Sequence, residues 1–324
     1  MTTKAFGTRV LLYGLICLAL LISIILFSNW RVRTKNAFLL PEKYTGVILG
    51  NSHAACGFDD QYIDGYINLG AVTESYLYIY VKLKAVLEAN PQIKDVIVEV
   101  DNMQLSNATM KKWNAGEGAM SRILPKYQPY MTFDESSIIF KGNPRAFITN
   151  QQLLMQQNIE LLKRPNGDQM QKGIFGRNSR HKTTHADSLL QVHKVPDSNP
   201  NEVPNKITVD YLRKIVSLCR EKNISLIFVR TPILKAYEGW ANEAVFQKFI
   251  REQFNDVDFI DLNNLPLKLN EYYDIDHLNI YGSEKLSRFF NDALNDDLFN
   301  QPDKQAFIDM RLNSLKSSQD SLAD

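Results

Sequence analysis

The stretch "VLLYGLICLALLISIILF", residues 10–27, carries no charged side chain. At about 1.5 Å of rise per residue, a helix of this length crosses the hydrocarbon core of a bilayer. Hydrocarbon satisfies no backbone N–H or C=O, so helix is the conformation the run must take there. It is longer than the apolar region of a typical cleaved signal peptide, and "SNWRVRTK" follows it in place of a small-residue cleavage site. The expectation for residues 1–35 is a short cytoplasmic stub, an uncleaved single-pass anchor that meets membrane lipid, and a linker, with Trp30 near the interface. Lys4 and Arg9 precede the run while Arg31, Arg33 and Lys35 follow it, so flanking charge alone does not orient it.

The chain beyond residue 36 reads as one body. "YTGVILG" (44–50), "GYINLG" (65–70), "IKDVIVEVD" (93–101), "ISLIFVRTP" (224–232) and "VDFIDL" (257–262) have the length and apolar content of buried strands. "VTESYLYIYVKLKAVLEAN", "ITVDYLRKIVSLCREKN", "NEAVFQKFIREQF" and "YGSEKLSRFFNDAL" alternate with them as amphipathic helices. The alternation predicts an α/β three-layer sandwich, a mainly parallel sheet with helices on both faces, whose functional groups gather at the carboxyl ends of the strands. Residues 103–205 interrupt it with Gly-, Asn- and Pro-rich segments around one helical candidate, "NQQLLMQQNIELLKR", and read as an insertion covering the strand ends. On this reading the α/β domain occupies 36–300. Residues 301–324 form a polar, peripheral tail with a helix at "KQAFIDMRLNSL".

Charge excludes one class of partner. With 37 Lys+Arg against 36 Asp+Glu there is no basic excess to hold nucleic acid. Cys17, Cys56 and Cys219 lack the spacing of a zinc site and read as free thiols. His181 and His185 of "HKTTH" have i, i+4 spacing, yet the segment is polar and lacks the Glu of a zinc hydrolase motif, which favours a solvated loop. No metal and no diffusible cofactor is expected. Arg230 and Lys235 are read either as contacts for an anionic substrate or as a solvated face. Trp113 and the aromatics of "KYQPYMTF" are assigned to packing of the insertion, with a substrate groove as the other reading.

Two short blocks carry the chemistry. "LGNSHAACGFD" sets Ser52 just past the first strand, and "YDIDHLNIYG" sets Asp274 three residues before His277 in the loop after the last strand. Both fall on the carboxyl rim. A serine hydroxyl is a weak nucleophile until a base takes its proton, imidazole does so near neutral pH, and a carboxylate fixes the imidazole tautomer. An oxyanion would be held by the Ser52 N–H, the Gly70 N–H after the second strand and the Asn102 amide after the third. His53 is read as incidental.

This order of blocks resembles the SGNH, or GDSL-like, hydrolase superfamily, over roughly residues 44–102 and 207–295. Asn51 stands where that family usually has Asp, and "VEVDN" stands in place of its Gly-x-Asn-Asp block. The resemblance implies an SGNH-hydrolase-like (flavodoxin-like) fold, with Ser52 as nucleophile, His277 as base, Asp274 as its orienting acid, and Ser52, Gly70 and Asn102 as oxyanion donors. With the anchor, the layout is similar to membrane-tethered members of envelope acylation, such as those of D-alanyl-lipoteichoic acid synthesis and alginate O-acetylation. It implies a serine-dependent esterase or O-acyltransferase facing the periplasm or exterior, acting on an acylated glycan or other acyl ester, with a membrane acyltransferase as a further partner. The alternatives are a catalytically inactive SGNH-like module that binds a glycan or such a partner, and a membrane assembly protein with no ligand site.

Overall fold

The computed structural model of the protein describes residues 3–35, 37–165, 176, 181–184, 203–234 and 242–320. Five strands form its sheet: β1 (Gly46–Leu49), β2 (Tyr66–Asn68), β3 (Asp95–Glu99), β4 (Ser225–Arg230) and β5 (Asp258–Asp261). Their order is β2-β1-β3-β4-β5, and every neighbouring pair is parallel. The expected mainly parallel sheet is thus wholly parallel among the described residues. Strand side chains alternate between its faces. Val47, Leu49, Val96, Val98 and Phe228 join one apolar core, and Ile48, Ile97, Ile227, Val229 and Ile260 join the other.

Helices cover both faces, so the layers are three. After α1 (Thr3–Arg33) and the short α2 (Ser52–Gly57) comes α3 (Tyr76–Ala89), which packs on the first core through Leu77, Val81 and Leu83. The insertion that leaves β3 contains α4 (Asn107–Ala115), α5 (Glu117–Tyr127), α6 (Phe133–Gly142), α7 (Pro144–Thr149) and α8 (Gln151–Lys163). Then follow α9 (Lys206–Glu221), α10 (Glu243–Gln253), α11 (Ile280–Asn295) and α12 (Lys304–Asp320). Helix α9 lies beside α3, whereas α11 and α12 bury Leu286, Phe290, Ile308 and Leu312 in the second core. The tail read as peripheral therefore supplies core side chains.

The insertion is more helical than its sequence suggested. Three of its short helices start on a side-chain cap: Ser106 accepts from the Thr109 N–H, Thr132 and Glu135 form a reciprocal capping box, and Asn143 accepts from the Ala146 N–H. Aromatic packing follows, with Trp113 and Tyr127 buried.

Helix α1 contains a segment long and apolar enough to cross a membrane, with a mean hydropathy of 3.0 over its most apolar window, none of which the rest of the chain buries. Its final turns behave differently. Ser28, Asn29 and Val32 are buried against the body. Asn158 of α8 donates to Ser28 Oγ at 2.9 Å and to Asn29 Oδ1 at 2.7 Å. Arg33 donates to the Pro129 and Met131 carbonyls, and Lys35 Nζ to the carbonyls of Leu162 (2.6 Å) and Arg164 (2.8 Å). The apolar helix and the insertion are one packed unit.

Candidate active site

Going from β1 to β2 and then to β3, the chain runs outward and returns past β1, which opens a crevice at the carboxyl ends of β1 and β3. Ser52 stands at its edge as the first residue of α2. Asn51 caps that helix, its Oδ1 accepting from the His53 N–H at 2.6 Å, while its Nδ2 donates to Asp101 Oδ2 at 2.6 Å. The amide thus ties the Ser52 turn to the end of β3. Gly50 makes the approach possible, since a Cβ there would lie 2.7 Å from both Ala54 Cβ and Glu99 Cβ.

The loop after β5 reaches over from the other side. The Tyr273 N–H donates to the His277 carbonyl at 2.9 Å and Tyr272 bridges Leu278, which closes residues 273–277 into a tight turn. Within it Asp274 Oδ1 accepts from the N–H groups of Asp276 (3.1 Å) and His277 (2.7 Å). Asn279 then caps α11, its side chain accepting from the Tyr281 and Gly282 N–H groups.

These loops bring Ser52, His277 and Asp274 together. His277 Nε2 lies 2.8 Å from Ser52 Oγ, and Nδ1 lies 2.9 and 3.0 Å from the two Asp274 oxygens. Asp274 therefore faces Nδ1–H and leaves Nε2 for the serine. Ser52, Asp274 and His277 are all half-buried.

A second layer lies behind this row, and sequence reasoning missed it. His53, set aside as incidental, is buried and meets His277 edge to face at 5.1 Å. Its Nδ1 faces Asp101 (3.4 Å) and Glu99 (3.7 Å), and its Nε2 faces Asp276 (3.6 Å). Asp276 also reaches His277 Nδ1, at 3.1 Å. Burial works to lower the His53 imidazole, but Asp276, Glu99 and Asp101 overcome it and hold the ring well above its usual range. Burial likewise works against the charged His277; hydrogen bonds to Asp274 and Asp276 outweigh it and raise the ring to about 9. Burial, aided by the Asp101 charge, pushes Glu99 up to about 7. The signal in the sequence was the pairing of "SH" after one strand with "VEVD" ending another, which only the sheet order makes adjacent.

Two sets of side chains could hold a metal ion: His53 with Asp276 and His277, and His53 with Glu99 and Asp101. Each brings its ligand atoms within 4.8 Å of one another. Both depend on His53, whose imidazolium form meets the same carboxylates with a positive charge of its own.

The expected oxyanion donors are placed as follows. The Ser52 N–H is one of the donors that a helix start leaves without an intrahelical partner. The Gly70 N–H is donated to Asn68 Oδ1 at 2.8 Å and would have to leave it to serve a substrate. Buried Asn102 gives an Nδ2 hydrogen to Asn242 Oδ1 at 2.9 Å, and its carbonyl accepts from Asn242 Nδ2 at 3.0 Å. Arg230, a candidate anion contact, is buried and paired with Glu243 and Asp261. Lys235 and His185 lie outside the described residues.

Described residues of the insertion touch part of this rim. A Cβ on Gly176 would lie 2.3 Å from the Leu69 carbonyl oxygen, so that backbone rests directly on the end of β2. His181 stacks on Tyr273 at 3.9 Å, its carbonyl accepts from the Ile280 N–H at 2.9 Å, and Thr184 donates to the Asn270 carbonyl at 3.1 Å. Part of "HKTTH" is thus docked on the histidine loop.

A family model that carries no functional description matches residues 197–299, the stretch from the end of the insertion through the Asp274 and His277 loop into α11. No curated protein matches the chain.

Proposed function

We propose that the protein is a membrane-anchored serine esterase or O-acyltransferase of the SGNH type, acting on an acyl ester of a cell-envelope glycan or a related substrate. The observation that carries this reading is the Ser52–His277–Asp274 row, with contacts of 2.8 Å and 2.9 Å on opposite ring nitrogens. Ser52 Oγ attacks the acyl carbonyl while its proton passes to Nε2, and the imidazolium then gives that proton to the departing alkoxide. Water or a glycan hydroxyl attacks the resulting acyl-serine, with Nε2 taking and returning a proton once more, and Ser52 is regenerated. Asp274 holds the ring and stabilises its charged form. Ser52 N–H holds the oxyanion, joined by Gly70 N–H and Asn102 Nδ2 once substrate draws them from Asn68 and Asn242.

A cell-envelope glycan as substrate supports a body on the periplasmic or exterior side of the membrane, tethered by α1. A membrane acyltransferase is the partner that would deliver acyl groups there.

The engagement of Gly70 and Asn102 with neighbouring amides favours a second reading, an inactive SGNH-like module that binds a glycan or an acyltransferase partner. Fluorophosphonate labelling of the full-length protein separates the two. The first reading expects covalent modification at Ser52 that Ser52→Ala abolishes. Wild-type protein that stays unlabelled, or label that persists in Ser52→Ala, replaces it with the second.

A further inference from the structure

A groove of about 600 Å³ runs along the junction of α1 with the insertion. Helix α1 contributes Ile22, Ile25 and Leu26 to it, and the α6–α7 region contributes Phe140 and Phe147, T-shaped at 5.5 Å. Some 11 residues along α1 from Ile22, about 16 Å of helix, the lining has turned polar with Asn29, Gln128, Thr132 and Arg33.

We propose that this groove binds a phospholipid of the bilayer, with an acyl chain against Ile22, Leu26, Phe140 and Phe147 and the phosphate at Arg33. The inference rests on the membrane-anchored reading of α1. Three observations carry it. Ile22, Ile25 and Leu26 belong to the uncharged run, so the apolar end of the groove opens at hydrocarbon depth and is continuous with the lipid-facing surface of the anchor. The insertion presents large apolar side chains beside it: Phe133 is 86% exposed and Ile148 62% exposed. Such a patch suits an acyl boundary and not water. Finally, the Arg33 guanidinium is fixed by the Pro129 and Met131 carbonyls and has no carboxylate partner among the described residues, so its charge calls for an anion at headgroup depth.

The gradient along the groove, apolar at one end and cationic at the other, is that of a lipid molecule standing in one leaflet. A peptide helix would match the apolar end alone.

The test uses the full-length chain in nanodiscs of equal parts phosphatidylcholine and phosphatidylglycerol, with a trace of phospholipid bearing a photoreactive group on its acyl chain. Peptides containing Phe140 and Phe147 are expected to be labelled along with the α1 peptide. Ser136→Trp, which fills the groove from a half-buried position on α6, should remove the Phe140 and Phe147 label and leave that on residues 11–20. Arg33→Gln should lower retention of phosphatidylglycerol relative to phosphatidylcholine in native mass spectra by about fivefold, the effect of one interfacial cation. Label on α1 without label at Phe140 and Phe147, or label there that survives Ser136→Trp, overturns the groove while leaving the anchor. An unchanged lipid ratio in Arg33→Gln overturns the phosphate assignment. An unlabelled chain released by an alkaline wash overturns anchor and groove together.

Discussion

Asp276→Asn should free more of the histidine to accept a proton at neutral pH, although it removes an acid from the candidate active site. Two carboxylates face His277 Nδ1, Asp274 at 2.9 Å and Asp276 at 3.1 Å. Together they overcome burial and hold the ring at about 9. At pH 7 that leaves roughly one imidazole in a hundred free to accept the Ser52 proton. A unit charge at 3.1 Å is worth about 1.3 kcal/mol in water-like surroundings and about 5 kcal/mol at an effective dielectric constant of 20. Burial of the ring opposes both carboxylates, so the net rise to about 9 understates what each contributes and the lower figure is a minimum. Asp276→Asn should therefore bring the ring down by at least about one pH unit and enlarge the free-base fraction at pH 7 about tenfold or more, with a rate gain smaller than that because a weaker base pulls less. Proton NMR of the His277 ring, assigned with His277→Asn, follows the titration without any substrate. The acid limb of an acyl-release profile should move with it. A ring that titrates near 6.5 in the wild type, or that is unmoved in Asp276→Asn, refutes the reasoning. Asp274→Asn serves as the contrast: it lowers the ring too, but turnover should collapse because the tautomer is lost.

Two further outcomes follow from the same region. Asn51→Asp restores the residue usual in the resembling family but sets a second carboxylate 2.6 Å from Asp101 Oδ2, close to buried Glu99; denaturant unfolding at pH 7 should show a loss of roughly 2–3 kcal/mol, and an unchanged midpoint would contradict it. His277 is raised on folding, so its contribution is complete below its unfolded value of 6.5 and disappears as pH climbs through about 9. Glu99, raised to about 7, loses its share over the lower window from 4.5 to about 7. Unfolding followed between pH 6.5 and 9 should show up to about 3 kcal/mol of loss from the histidine, absent in His277→Gln; a flat wild-type profile would count against it.

The central strands β1 and β3 were legible because they are buried on both faces and read as near-continuous apolar runs, and the alternating helices carry clear start and stop signals. Ser52, Asp274 and His277 were legible for a related reason: strand ends in a parallel sheet share a rim. What escaped was everything that depends on two distant segments packing. His53 is one of five histidines until β3 lies beside β1 and surrounds it with Glu99 and Asp101. The Gly70 N–H looked open because nothing in "NLG" shows that the Asn68 side chain folds back onto it. Helices α4 to α7 were hidden by brevity, since their caps lie among the same Ser, Asn, Gly and Pro that ordinarily mark loops.

The junction at residues 28–35 bears on where the protein can work. A catalytic head on a slack leash sweeps a hemisphere above the bilayer and meets substrates at many heights. Here Asn158, Arg33 and Lys35 weld the helix to the body, so under the proposed membrane-anchored reading the head would travel with the lipids at one altitude and one tilt. Its working volume is a thin slab parallel to the membrane, searched by lateral diffusion in two dimensions. The acceptor glycan of the proposed function would have to present its hydroxyl within that slab. Chain length or growth stage of the polymer then becomes a selection rule that the crevice itself never has to encode, and cutting the weld by Asn158→Leu would trade that selectivity for reach.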